Sequence, residues 1–194
     1  MRTDRTAITR WARWLGTIAG FPLAGEAARV VAGNIDAAGA ALVGGLVGGT
    51  VLGLVQVVVG GIDVADRIRW IVATGIGFAA GLTAGAGAVG YRTDVASLVV
   101  MGAVSGAGVG LVQALSVPMR RSDRVLWAVA TPVTWAAGWL ITSQVIVDAD
   151  RQHAVFGLSG ALLVSAVAGL LHVLRRPVSQ PAPSIVVSTG SAVV

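Results

Sequence analysis

Five stretches of this chain contain no Asp, Glu, Arg or Lys: residues 37–62, 70–91, 95–119, 125–147 and 152–174. Each is 22 residues or longer, and a helix needs about 20 apolar residues to cross a hydrocarbon core. Because lipid offers the backbone no hydrogen-bond partners, runs of this length are satisfied only as helices. Composition agrees: 55% hydrophobic and 12% charged residues, with a mean hydropathy of +0.82, leave too little polar surface for a soluble globule, where roughly 25% of residues are charged.

A sixth span is expected around residues 13–33, although Glu26 and Arg29 interrupt it and only Trp14 to Gly25 is free of charge. Arg2, Arg5, Arg10 and Arg13 ahead of that short apolar run also fit the basic and apolar regions of a signal peptide. The repeat described below carries its pattern into this segment, which favours a retained membrane helix.

Basic residues orient the spans. With alternating segments, one side receives Arg2, Arg5, Arg10, Arg13, Arg67, Arg69, Arg120, Arg121, Arg124, Arg175 and Arg176, and the other only Arg29, Arg92 and Arg151. The positive-inside rule then places both termini in the cytoplasm, and Asp36, Asp94, Asp148 and Asp150 outside. All basic side chains are Arg, a bias expected of a GC-rich bacterial genome. These arginines flank apolar spans instead of covering a soluble face, so nucleic acid is not an expected partner despite a pI near 11.4. Cysteine is absent, which removes disulfides, thiolate metal sites and a cysteine nucleophile.

Sliding the chain against itself by 57 residues aligns Arg10, Arg67 and Arg124, then Thr17, Thr74 and Thr131, then Phe21, Phe78 and Trp135. Trp70 falls on Trp127, and Asp66 on Asp123. In the second half of the unit, Gly45, Gly49, Gly53 and Gln56 fall on Gly102, Gly106, Gly110 and Gln113. A shift of 59 brings Ala161, Ser165, Gly169 and His172 into the same rows, with the two extra residues placed in the loop at 148–151. Recurrence of this kind marks repeated structural units. The expected fold is an all-α integral membrane protein of six transmembrane helices: three tandem hairpins (about 10–62, 66–119 and 123–176) in one pseudo-threefold domain over 1–176. Residues 177–194, uncharged and rich in proline at their start, are expected to form a flexible cytoplasmic tail.

Small residues recur every four positions, as in Gly45, Gly49 and Gly53, or Gly77, Gly81 and Gly85. That spacing lines one helix ridge with missing side chains, so a neighbouring backbone can approach closely. The bundle should therefore be compact. The same ridges are candidate surfaces for self-association.

The candidate functional residues follow from depth. Thr17, Thr74, Thr131, Gln56, Gln113 and His172 should share one layer near the cytoplasmic side, where each amide finds a threonine of its own or the next hairpin. The layer then fixes register; the alternative is a threefold site that coordinates a solute or ion. His172 breaks the symmetry and is expected to be interfacial, beside Arg175 and Arg176. Glu26 and Arg29, spaced i, i+3, form a candidate intramembrane ion pair at the outer helix end, either structural or functional. Pro22 and Pro132 are expected to kink their spans, with the Thr131 hydroxyl satisfying a freed carbonyl.

No phosphate-binding loop and no His-Glu-x-x-His motif occurs, and no cofactor or metal is expected. "GLSGA" at 157–161 has only a superficial likeness to a nucleophile elbow. His153 and His172 should lie at opposite membrane faces, too far apart to share a metal. The repeated "RIRWIVATGIGFAAG" and "DRVLWAVATPVTWAAG" starts with G-x-x-x-G-x-x-Q finishes resemble small multipass bacterial membrane proteins with glycine-rich hairpins, although Val57 and Ala114 stand where those proteins usually carry Trp. The resemblance spans about residues 10–176 and implies an integral membrane protein of uncharacterised activity; it carries no catalytic residue over. The expected function is non-enzymatic: an accessory or scaffold component of the bacterial inner membrane that binds the bilayer and other membrane proteins or lipids. The alternative is a small transporter or channel built on the polar layer.

Overall fold

The computed structural model describes residues 2–145 and 155–174, and within them every regular element is helical. In order these are α1 (Arg2–Gly16), a 3-10 turn (Thr17–Ala19), α2 (Gly20–Ala32), α3 (Ala38–Gly60), a second 3-10 turn (Val64–Asp66), α4 (Arg67–Ala88), α5 (Val95–Ser116), α6 (Arg121–Ser143) and α7 (Leu158–Leu174). Four helical stretches are long and apolar enough to cross a membrane: Ala38–Gly60, Val64–Ala88, Val95–Ser116 and Arg121–Ser143. They match the first four uncharged runs. The fifth run is represented by the 17 residues of α7, and the charge-interrupted segment by α1 and α2.

Local chemistry sets several boundaries. Pro22 has no N–H and its ring clashes with the carbonyl four residues back, at Ile18. The chain accordingly tightens into the 3-10 turn at Thr17–Ala19 before continuing as α2. Pro132 causes no such break, because α6 runs through it. The Thr131 hydroxyl donates to Trp127 O at 2.7 Å, whereas the carbonyl that Pro132 leaves without a donor is that of Ala128; the expected compensation is not made. Gly61 ends α3 with φ of +80°, a left-handed cap that glycine adopts without strain. Asp94 caps α5, its carboxylate accepting from Ser97 N at 3.0 Å and from Ser97 Oγ at 2.6 Å.

The helices form a closed ring in which each packs against its sequence neighbours from α2 through α7, and α1 closes the circle by touching both α3 and α7. Backbone approach holds the walls together. A Cβ built on Gly49 would lie 2.6 Å from Thr74 O, one on Gly81 2.7 Å from Ser105 Cα, and one on Gly106 2.9 Å from Thr131 O. The glycine ridges are thus covered inside the chain, at the α3–α4, α4–α5 and α5–α6 seams. The outward surface is apolar instead: Leu42, Leu54, Val58, Val72, Ile76 and Leu111 are each half exposed or more. Such a continuous apolar exterior suits lipid and not water, and with the four long apolar helices it marks a membrane-embedded protein.

Candidate functional site

On α4, Trp70, Thr74 and Phe78 are spaced by four and face the ring interior; on α6, Trp127, Thr131 and Trp135 do the same. The α1–α2 segment offers Trp14, Thr17 and Phe21, with one residue fewer between the tryptophan and the threonine. These positions stack three layers along the axis.

The layer at the arginine-rich end is a triangle of buried indoles. Trp14, Trp70 and Trp127 meet edge to face, with ring centroids 6.1, 6.1 and 5.7 Å apart, a separation at which aromatic pairs attract beyond their buried area. Just outside the triangle, arginines serve helix ends: Arg13 Nε donates to Val59 O at 3.2 Å and Arg124 Nε to Ala114 O at 3.0 Å. Cations at helix C-termini also complement the helix dipole. The far layer is made of Phe21, Phe78, Trp135 and Phe156, with Phe21 and Phe156 stacked at 4.9 Å and Trp135 5.3 Å from both Phe78 and Phe156.

Between them lies the polar layer. Gln113 Nε2 donates to Thr74 Oγ1 at 2.8 Å, and Gln113 Oε1 accepts from Trp127 Nε1 at 3.1 Å. Gln56 Oε1 accepts from Trp70 Nε1 at 2.8 Å and lies 3.4 Å from Gln113 Nε2. Thr74 and Thr131 each donate to the carbonyl four residues back, at Trp70 and Trp127, whereas Thr17 donates to Trp14 O three residues back, each at 2.7 Å. Thr17 Oγ1 is also 3.4 Å from Ser165 Oγ on α7. Thr17, Thr74, Gln56 and Gln113 are buried, and Thr131 is half-buried.

The expected pairing of glutamine with a threonine of its own hairpin holds for Gln113 and Thr74. The main acceptor role of both amides, toward the tryptophan fourteen residues on, is legible only in three dimensions. His172 is half-buried and packs its ring against Trp14, centroids 5.0 Å apart, while Trp14 Nε1 is buried without a hydrogen-bond partner. Arg175 and Arg176, its expected neighbours, lie outside the described residues, as do His153, the 148–151 loop and the 177–194 tail.

Glu26 and Arg29 do not join this layer. Arg29 Nε and Nη2 clasp the Glu26 carboxylate at 2.9 and 2.5 Å, and both side chains are more than half exposed on the outside of the ring. A cavity of about 20 Å³ adjoins the polar layer between α5, α6 and α7, its wall including Gln56, Gln113, Thr131, Thr134 and Trp127. That is space for one water molecule. Among the described residues no three His, Asp or Glu side chains gather as a metal site would need. The arrangement can lock helix register. Comparison with protein families, curated proteins and solved structures returns no match.

Proposed function

We propose that the chain crosses the bacterial inner membrane six times, as three pseudo-threefold hairpins with both termini in the cytoplasm. In this reading it is a non-enzymatic scaffold or accessory protein that acts by binding other membrane proteins or lipids. The recurrence of Trp70 to Gln56 and Trp127 to Gln113 bonds, at the 57-residue period, supports the repeat. The arginines that gather at one end support the orientation.

The observation that carries the function is the stacked axis. A polar layer whose amides bond to tryptophan indoles and to Thr74, and whose hydroxyls bond to backbone carbonyls, lies between two aromatic layers; it holds helices in place and offers no path wide enough for a solute. Since the glycine ridges are covered within the chain, contact with partners falls to the apolar exterior and to the exposed Glu26–Arg29 pair.

Two measurements test this together. Purified protein in sealed vesicles should pass no ions or small solutes above the protein-free rate. Photo-crosslinkers at Val72 and Leu111, which face outward, should trap a discrete protein or lipid in native membranes. Flux that disappears in Gln113→Leu while the fold persists would overturn the scaffold reading in favour of a transporter.

A further inference from the structure

We propose that the cavity beside Gln56 is a built site for one internal water molecule, which completes the polar layer where the first span departs from the other two. Gln113 uses both ends of its amide: the oxygen accepts from the next helix and the nitrogen donates to Thr74 on the preceding one. Gln56 uses only its oxygen, toward Trp70. By the same geometry its nitrogen should reach Thr17. Thr17 sits in the 3-10 turn, however, where its Oγ1 donates to Trp14 O and lies 3.4 Å from Ser165 Oγ on α7, and it makes no bond to Gln56.

Gln56 Nε2 is left with no protein acceptor among the described residues, on a side chain that is 8% exposed. An amide N–H without a partner at this depth is costly. The cavity wall that Gln56 forms also holds the Thr131 and Gln113 side chains. A water there accepts from Gln56 Nε2 and donates to the free lone pairs of Thr131 Oγ1 and Gln113 Oε1. These three partners are within the two to four that buried waters make, and a volume of about 20 Å³ exceeds the 10–15 Å³ that one water requires. The tryptophan triangle and the phenylalanine layer keep it from exchanging freely along the axis. Held by Gln56, Gln113 and Thr131, the water ties α3 to α6, which no direct side-chain bond bridges among the described residues.

The test pairs a direct view with a mutant cycle. A lipid-nanodisc structure that resolves water should show density within about 3.2 Å of Gln56 Nε2. Val109→Ile adds one methylene to the same cavity. It should lower the unfolding midpoint by roughly 3 °C in the wild-type background, because it expels the water and strands the amide. In a Gln56→Leu background that loss should vanish. Absence of the density, or a Val109→Ile shift of the same sign and size in both backgrounds, would overturn the proposal.

Discussion

Replacing Gln113 with leucine removes the most connected side chain of the polar layer at almost constant volume. Two bonds at 2.8 and 3.1 Å are lost, while the 3.4 Å approach to Gln56 is too long to count for much. Interhelical hydrogen bonds in membrane proteins are worth about 0.6 kcal/mol on average, so the bonds themselves account for roughly 1.2 kcal/mol. The larger part is the Trp127 N–H, which loses this acceptor at the centre of the bundle, a penalty of about 1–3 kcal/mol. The expected loss is roughly 2–4 kcal/mol, read as a shift in reversible unfolding in mixed micelles. Trp127→Phe removes the donor itself but opens space, so the informative quantity is the coupling in the double-mutant cycle. Gln113→Leu and Trp127→Phe together should cost about 1 kcal/mol less than their sum. Additive effects, or a Gln113→Leu loss below about 0.5 kcal/mol, would refute the idea that this layer fixes the helices.

Gly49→Ala places a methyl group 2.6 Å from the Thr74 carbonyl oxygen, forcing α3 and α4 apart at a cost of about 1–3 kcal/mol; the same unfolding assay should show it, while Gly39→Ala, in open space, should be near neutral. His172→Gln places at the Trp14 indole the amide that Trp70 and Trp127 already have, and should raise stability by about 0.6 kcal/mol; a fall would show that the ring contact with Trp14 matters more. Removing Glu26 and Arg29 together as Gln should leave the unfolding midpoint almost unchanged, because exposed pairs contribute little, so any loss of crosslinked partner in that variant would report recognition. The Ser97 hydroxyl, then the Ser97 N–H and nearby Arg92, hold the Asp94 carboxyl below the usual carboxylate range. A depressed folded-state value stabilises above the unfolded one and is lost as pH falls through the folded one, below about 3.8. Amide exchange in the first turn of α5 should accelerate there, and Asp94→Asn should abolish the pH step.

Length and charge alone were enough to read four spans, because a run of about 20 uncharged apolar residues has one stable state in lipid. The glycine ridges were legible as packing surfaces for the same kind of reason: the spacing of four is a property of the helix itself. Which surface a ridge meets is not: only the folded chain shows α3, α4, α5 and α6 using their ridges on one another. The threonines and glutamines were recognisable as one layer because each is a polar group at a matched depth in an apolar run.

The tryptophans were readable as a repeat row but not as the donors to the glutamines, since a spacing of fourteen residues across a turn says nothing about which indole edge faces inward. Trp14 was missed altogether. It falls one residue out of register with Trp70 and Trp127, and only the 3-10 turn that Pro22 imposes brings it into the triangle. A helix period can be written in a sequence, whereas closure of the ring depends on how the helices pack on one another, and that is decided by tertiary structure.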